Sequence, residues 1–498
     1  MIQVLSVENM RKSDAFTIAK QVPSKELMLR AGRGIFKTAK WKEPVAVVCG
    51  SGNNAGDGFV TAGLLNEAGI SCVIFLLSGK TSEDGEYYLS LCREAGIPVK
   101  MWQHGTSLTG FSTILDCIFG TGFRGEVHGP AREAIEAINC SGAYVISADI
   151  NSGLNGDSGM AELCVHSDLT ISIGGWKTGH FLNMAKDVIR DKRNCDIGIL
   201  PVDRTYCLLE ACDLVKMFRP RANFSNKGSY GYIALIGGSV RYSGAIRLAE
   251  MANAAMRSGA GVVKTAVPNT IRTEVASTVM ESTIFPLSDD KKGIIFNEEE
   301  ISELVTHLKT TAFGMGIGTG EGAAQTLDYL LRNFQGILIV DADGLTLLSR
   351  LDKERIRNAS CSLILTPHIK EFSRLTGLDT EEILNHPVAT AEAYAAENQV
   401  ILLLKGPTTI ITDGKTTYLT DTGCAGMATA GSGDVLSGIL SAVTAYSGDP
   451  LLGTAAAAWI NGKAGELAQS HKGSISMTAG DTVACIPEII FALEKANR

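Results

Sequence analysis

The most pointed chemistry in this chain lies in one run of small residues that ends in an acid: Thr422-Gly423-Cys424-Ala425-Gly426-Met427-Ala428-Thr429-Ala430-Gly431-Ser432-Gly433-Asp434. A helical pattern begins there, with apolar Val435, Leu436, Ile439, Leu440 and Val443. Glycine lets backbone approach a ligand closely because it has no Cβ. A helix start offers unpaired N–H groups and the positive end of the helix dipole, and both suit phosphate. An acid at the same point is repelled by phosphate unless it has a role. The role that fits is taking a proton from a hydroxyl about to meet that phosphate. The segment reads as a phosphoryl-transfer loop with Asp434 as its base. The plainer alternative is a tight turn ahead of a buried helix.

Further polar and glycine-rich segments flank apolar runs in the same half. Lys227-Gly228-Ser229-Tyr230-Gly231 leads into one, and Gly237-Gly238-Ser239, Gly314-Met315-Gly316-Ile317-Gly318, Asp341-Ala342-Asp343, Thr366-Pro367-His368 and Lys405-Gly406-Pro407-Thr408 follow others. Collected at strand carboxyl ends, they would line one crevice. Lys405 either faces phosphate or is a solvated strand end, and His368 is either a site residue or a structural histidine. There is no G-x-x-x-x-G-K-[ST], so a P-loop is excluded.

The first half carries a second constellation. Cys49-Gly50-Ser51-Gly52-Asn53-Asn54-Ala55-Gly56-Asp57-Gly58 reads as a glycine-rich loop between a strand and a helix, where α/β folds hold nucleotides. Its amide and carboxylate oxygens can also coordinate a cation. Asp116 ends a strand and leads into Gly120-Thr121-Gly122-Phe123-Arg124-Gly125-Glu126. This fits G-x-G-x-x-G, but the next helical pattern starts only near Pro130, too late for a dinucleotide fingerprint. It is either a phosphate-contacting loop, with Arg124 as charge partner, or a bland surface loop. Asp149 ends a third strand, ahead of Ile150-Asn151-Ser152-Gly153, and is the candidate general acid/base; a turn cap is the alternative.

These residues need a scaffold that gathers strand ends. Short apolar runs alternate with helical patterns along the whole chain, the mark of an α/β protein with a mostly parallel sheet. Strands are expected at Val45–Val48, Cys72–Leu77, Thr113–Asp116, Tyr144–Ala148 and Leu169–Ile173. In the second half they are expected at Tyr232–Ile236, Val262–Ala266, Ala312–Met315, Ile337–Val340, Ser362–Leu365 and Val400–Leu404. Helical patterns include Phe59–Ala68, Pro130–Ile138, Ala245–Arg257, Ala323–Asn333 and Val435–Ala445.

With 498 residues the chain exceeds one ordinary core, and the change of domain is expected between Pro201 and Ser229. A net charge of −8 argues against a nucleic-acid surface. The 12 cysteines form no Cys-x-x-Cys and read as buried reduced thiols. Neither a signal peptide nor a membrane-spanning run is expected, so a cytoplasmic enzyme without membrane partners is.

The first three segments, with Met10, Asp14, Leu27-Met28 and Ala31-Gly32, resemble the N-terminal NAD(P)H-hydrate epimerase domain of the YjeF N-terminal family, over roughly Met1 to Leu200. That resemblance implies a Rossmann-like α/β/α domain. It also implies hydrate binding by Asn53, Asn54, Ala55, Gly56 and Asp57, by Gly120, Thr121, Gly122, Phe123, Arg124, Gly125 and Glu126, and by Asp149 at the reacting ring. Asn54, Asp116 and Ser152 would hold potassium. Ala55 stands where the family has glycine, which is compatible only with negative φ. Asn151 stands where it has proline, which loosens the turn.

The second half, roughly Asp213 to Asn497, resembles the ribokinase-like superfamily and within it the ADP/ATP-dependent NAD(P)H-hydrate dehydratases. The resemblance implies adenine-nucleotide contacts from Lys405, Gly406, Pro407, Thr408 and Thr409, and from Cys424, Ala425, Gly426, Met427, Ala428, Thr429, Ala430, Gly431, Ser432 and Gly433. Hydrate contacts would come from Ala249, Gly318, His368 and Asp434. Asn226 replaces a histidine and Ala430 a glycine; Ala430 would narrow the phosphate pocket.

Together the resemblances imply an epimerase domain over 1–212 and a dehydratase domain over 213–498. The cofactors expected are potassium, magnesium and ADP (or ATP) as phosphoryl donor, with the fused layout favouring ADP. The partners expected are small molecules only, in a homo-oligomer. The alternatives are a small-molecule kinase and a non-catalytic N-terminal nucleotide-binding module.

Overall fold

A computed structural model describes residues 1–20, 22–251, 254–278, 280–290 and 292–497. The chain divides into two compact units: Gln3–Tyr206, and Cys207–Arg498 together with Met1–Ile2.

In the first unit a seven-stranded sheet runs Val99–Met101, Cys72–Leu76, Val45–Cys49, Thr113–Cys117, Tyr144–Ala148, Leu169–Ile173, Lys192–Cys195. Every pairing in it is parallel. Val45–Cys49 is buried at every position, as a central parallel strand covered on both faces must be. Val45, Val47 and Cys49 pack with Ile35, Phe59, Leu65 and Leu89 on one face. Ala46 and Val48 pack with Ala134, Ile135 and Ile138 on the other. The result is a three-layer α/β/α unit. Strand order reverses between Val45–Cys49 and Thr113–Cys117. Such a switch opens a crevice at the strand carboxyl ends.

The second unit follows the same logic. Its parallel strands run Thr283–Leu287, Val262–Pro268, Tyr232–Ile236, Thr310–Phe313, Ile337–Val340, Ser362–Leu365, Ile401–Leu404. An antiparallel hairpin, Thr409–Thr412 with Thr417–Thr420, extends the edge. Helix Ser432–Ser447 is buried from Val435 to Ala445, against the sheet and against helices Pro450–Lys472 and Ala479–Ala496. The switch lies between Tyr232–Ile236 and Thr310–Phe313. Where one long helix was expected over Ala245–Arg257, helices span Ser243–Met251 and Ala254–Arg257, and residues 252–253 lie outside the described residues.

Among the described residues no helix is long and apolar enough to cross a membrane. The cysteines are free, and Cys49, Cys72 and Cys117 are buried, as apolar thiols in strands should be.

Candidate active sites

The N-terminal crevice holds a cavity of about 510 Å³ lined by Asn53, Asn54, Asp57, Gly120, Thr121, Gly122, Phe123, Asp149 and Lys177, among others. Asn53, Asn54, Ala55, Gly56 and Asp57 do not form the loop expected of them. Helix Asn53–Glu67 begins at Asn53, so all of them lie in its first turns. This resolves the Ala55 departure: Ala55 is fully buried, and its φ is not positive. Gly56 is buried as well, where an added Cβ would sit 2.4 Å from the Met28 sulfur. Asn53, Asn54 and Asp57 therefore face the cavity, while Ala55 and Gly56 seat the helix.

Asn54 donates through Nδ2 to the carbonyls of Phe119 (2.9 Å) and Ala148 (3.2 Å), bridging two strand ends. Its Oδ1 is buried without a hydrogen-bond partner. An orphaned buried acceptor costs about 1–3 kcal/mol, and a cation would satisfy it. Beneath it Asp116 is fully buried. Its carboxylate accepts from Ser152 Oγ (2.5 Å), Ser152 N (2.9 Å), Ser147 Oγ (2.9 Å) and Ile118 N (3.2 Å). Burial pushes this carboxyl above the usual range even though those bonds oppose it. Asn54 Nδ2 and Ser152 Oγ share the Phe119 carbonyl (2.9 and 3.3 Å), so the Asp116–Ser152 oxygens belong to the same corner as the orphaned amide, an all-oxygen donor set that would suit a hard cation.

Asp149 adopts φ 64°, a left-handed conformation that costs a non-glycine residue energy and has to be held by its surroundings. Its Oδ2 accepts from Thr121 N at 3.0 Å. Its Oδ1 lies 2.6 Å from Nζ of Lys177, whose side chain is 1% exposed. Burial would raise the Asp149 carboxyl, but the Lys177 ammonium more than offsets this and holds it below the ordinary range. His180 sits behind, with Nε2 2.7 Å from the Asp149 carbonyl. Burial, with Lys177 beside it, depresses His180 to about 4. The ring is therefore neutral and anchors the strained turn. Sequence reasoning missed both Lys177 and His180. The only local signal was a lysine closely following a buried strand.

The rest of the Gly120–Glu126 segment splits. Gly120 to Phe123 line the cavity, and Phe123 stacks on Phe119 with ring centroids 4.5 Å apart. Arg124 instead points to Asp157 at 3.4 Å on the surface, and Glu126 lies 3.5 Å from His128. Neither residue lines the cavity. Nor does Asn151 loosen its turn. It is fully buried, and its amide donates to the carbonyls of Val165 (2.8 Å) and Val188 (3.0 Å), stapling loops together.

In the second unit the expected strand ends converge. Lys405 is not a solvated strand end: its Nζ lies 2.9 Å from Asp341 Oδ1 and 3.9 Å from Glu371 Oε2. Ser437, from within helix Ser432–Ser447, donates to Asp341 Oδ2 at 2.8 Å. This pair lies directly under the helix start. A Cβ added to Gly433 would be 3.6 Å from Lys405 Nζ and 3.7 Å from Asp341 Oδ2. Burial would raise Asp341, but Lys405 holds it below the ordinary carboxylate range. Among the described residues Asp434 makes no ion pair of that closeness. Burial first, and Asp341 second, push it up to about 7 against a weaker pull from Lys405. A carboxyl poised at neutrality suits a general base.

This gives a pH prediction. Asp434 accepts a proton only when ionised, so turnover at this site is expected to rise with pH through about 7, above the usual carboxylate range. A profile of kcat/KM from pH 5 to 9 checks it; an acid limb near 4 would remove the assignment.

Gly431 adopts φ 91° and caps helix Ser432–Ser447 where a side chain would strike Leu248, 2.3 Å from its Cδ1. Ser432 Oγ donates to the Met427 carbonyl at 2.8 Å. Upstream the segment is moored to helix Pro450–Lys472. Gly423 N donates to Glu466 (3.0 Å), Gly426 N to Gln469 (2.9 Å), and Cys424 Sγ to the Gly465 carbonyl (3.3 Å). Ala425, Ala428 and Ala430 are exposed, so the Ala430 methyl does not close a buried phosphate pocket. Gly406 and Pro407 are exposed too, Thr408 donates to Asp421 at 3.0 Å, and Thr409 opens the hairpin.

His368 is the N-cap of helix Ile369–Thr376. Its Nδ1 accepts from Lys370 N (3.1 Å) and Glu371 N (3.3 Å), which leaves Nε2 as the donor. Burial lowers its pKa, so the ring is neutral. Gly318 adopts φ 83° and donates its N–H to Asp343 at 2.8 Å. Ala249 is fully buried in the core rather than open to a crevice. Asn226 Oδ1 accepts from Gly228 N at 2.9 Å, a cap that Asn supplies well in place of histidine. Asp341, Glu371 and Ser437 complete the site and were not singled out from sequence, although Asp341 stood at a recognised strand end.

Comparisons with known proteins match this division. The sequence profile of the NAD(P)H-hydrate dehydratases matches residues 233–488, and that of the YjeF-related protein N-terminus matches residues 24–179. A bifunctional NAD(P)H-hydrate repair enzyme Nnr of Archaeoglobus fulgidus is 34% identical over 93% of this chain and 94% of its own. Its counterpart in Coxiella burnetii is 30% identical over 95% and 96%. The ADP/ATP-dependent NAD(P)H-hydrate dehydratase of Bacillus subtilis, crystallised with ATP and Mg2+, superposes on 58% of this chain and 99% of its own, with a TM-score of 0.51 at 24% identity. That likeness concerns the fold of the second unit.

Proposed function

The chain belongs to the bifunctional NAD(P)H-hydrate repair enzymes, and from that premise we propose how its residues divide the work. NADH and NADPH can add water across a ring double bond, giving R and S hydrates that no longer donate hydride. The N-terminal domain, residues 1–212, interconverts the epimers at the Asp149–Lys177 cavity. The C-terminal domain, residues 213–498, returns the S hydrate to NAD(P)H, using ADP and releasing AMP and phosphate.

The observation that carries the second half is Asp434, an acid near neutrality at the start of a buried helix, beside the Lys405–Asp341 pair. Hydroxide is a poor leaving group, so the hydroxyl is first phosphorylated. Asp434 takes its proton as it attacks the terminal phosphate of the nucleotide. The N–H groups at Gly431, Ser432 and Gly433 face the charge that develops on phosphate. Lys405 keeps Asp341 ionised, and Asp341 in turn keeps Asp434 basic. Phosphate then departs with the C–O bonding electrons, the nitrogen lone pair stabilises the ring cation, and loss of a proton from the adjacent ring carbon to solvent restores the double bond. Carboxylates at this crevice suit magnesium, which binds through one or two carboxylates and the nucleotide phosphates and supplies charge neutralisation. The B. subtilis dehydratase crystallised with ATP and Mg2+ supports this reading.

In the first domain Asn54, Asp116 and Ser152 would hold potassium, which supplies a fixed positive charge to the substrate's phosphates or carboxamide. Replacing potassium by tetramethylammonium is expected to slow epimerisation several-fold; an unchanged rate would remove the cation from the site. The reading includes a cytoplasmic homo-oligomer acting on small molecules.

The overall test is recovery of reduced-nicotinamide absorbance from mixed R and S NADH hydrates with magnesium and ADP. Recovery of the whole mixture, faster than spontaneous epimerisation, is expected. Recovery of the S fraction alone would leave the first domain a binding module. A stable phosphorylated product would mark a kinase instead.

A further inference from the structure

The resemblance to epimerases counts Asp57 among the hydrate-binding residues of the N-terminal cavity and gives it no part in the chemistry. Asp14, Asp57 and Asp149 all line that cavity, with Lys177 as the buried ammonium. The three protons of Lys177 are committed to Asp149 Oδ1 (2.6 Å), the Ile173 carbonyl (2.8 Å) and Ser172 Oγ (3.4 Å). None reaches Asp57. Carboxylates that share a desolvated space with one ammonium cannot all be ionised without large cost, and the one paired with the ammonium keeps the charge. The others are driven toward their protonated forms.

Resting on the epimerase reading of this unit, we propose that Asp57 is the proton donor of epimerisation and works opposite Asp149, the fixed negative charge.

The surroundings of Asp57 agree. It shares the cavity with Asp14 and Arg11 on helix Val7–Lys20, Asp84 on helix Glu83–Glu94, Asp149 and Lys177, and Asp14, Asp149, Lys177 and the thiols of Cys117 and Cys195 are near enough to interact with it electrostatically. Burial, then Asp149 and Asp14, push its carboxyl well above the ordinary range, and Asp14 is raised as well. Asp149 alone is lowered. Two acids in one site pushed apart in this way are the arrangement that separates an acid role from a charge-stabilising one.

In the hydrate the hydroxyl is on a ring carbon bonded to the ring nitrogen. The Asp57 proton passes to the hydroxyl oxygen as the C–O bond breaks, with both electrons going to oxygen. The products are water and a ring cation whose C=N bond is formed by the nitrogen lone pair. The Asp149 carboxylate faces that cation. Water then adds to the opposite face, forming the new C–O bond; its extra proton is released to solvent through the cavity, and Asp57 is reprotonated from solvent for the next turnover. No oxidant, reductant or co-reactant is needed.

The test uses the full chain and a single NADH-hydrate epimer, without ADP so that dehydration is silent. Wild-type kcat/KM is expected to fall at alkaline pH as Asp57 ionises. Asp57→Asn is expected to lower kcat by on the order of 10²–10⁴-fold with KM unchanged and with the alkaline limb gone. Asp57→Glu should restore part of the rate together with the limb, and thermal unfolding of each variant separates misfolding from lost chemistry. In ¹⁸O water the epimerised product should carry solvent oxygen faster than the uncatalysed control. A rate for Asp57→Asn within about threefold of wild type, or a loss confined to KM, would overturn the proposal while leaving the epimerase reading intact. A wild-type chain that does not accelerate epimerisation would overturn both.

Discussion

Asp434→Asn is expected to lower S-hydrate dehydration by on the order of 10²–10⁴-fold while R-to-S conversion continues at the wild-type rate. Asparagine keeps the size and hydrogen-bonding reach of the side chain but cannot take a proton. The variant should not be less stable. Asp434 is pushed up to about 7 by burial and by Asp341, so at neutral pH its charge opposes folding, and the amide removes that opposition. Coupled assays of both activities, with thermal unfolding at pH 7.5, check this. Dehydration at an unchanged rate would refute the role of Asp434. A parallel loss of epimerisation would show that the two units do not act independently.

Asp149→Asn is expected to slow epimerisation by a comparable factor and leave dehydration untouched. Here the structural consequence is opposite in sign. The amide still accepts from Thr121 N, but it leaves the Lys177 ammonium, 1% exposed, without its counter-charge. Removing one member of a buried ion pair costs about 3–5 kcal/mol. The N-terminal unit should therefore melt earlier even though only the side-chain terminus has changed. The double variant Asp149→Asn/Lys177→Met separates the effects. It should recover much of the stability, because no unpaired charge remains, and none of the epimerisation. Recovery of activity in the double variant would mean that Asp149 serves only to neutralise Lys177.

The elements that gather these residues were legible wherever burial imposes a simple pattern. Tyr144–Ala148, Leu169–Ile173, Tyr232–Ile236, Ile337–Val340 and Ser362–Leu365 occur as their apolar runs predict. A strand covered on both faces has no polar alternation to confuse. The errors have local causes. The strand expected at Ala312–Met315 spans Thr310–Phe313, because Gly314 turns the chain at φ 122°. The helix expected from Phe59 begins at Asn53, since Asn, Gly and Asp are weak helix formers that read as loop. That error mattered, because it concealed that Asn54 and Asp57 are carried by a rigid helix and that Ala55 is accommodated without strain. The hairpin Thr409–Thr412 with Thr417–Thr420 was missed, because short edge strands rich in threonine carry little apolar signal.

By itself the sequence determined the α/β class, the strand ends at which chemistry collects, and the acids Asp149 and Asp434 that stand there. These depend on local periodicity and on residue types that few other roles require. Only the tertiary structure decided the state of those acids. Lys177 reaches Asp149 across 28 residues and Lys405 reaches Asp341 across 64. Asp434 and Asp57 are left without a cation of their own. Whether a carboxyl is a base, an acid or a fixed charge depends on desolvation and on charges a few ångströms away. Neighbours of that kind are set by folding rather than by position along the chain.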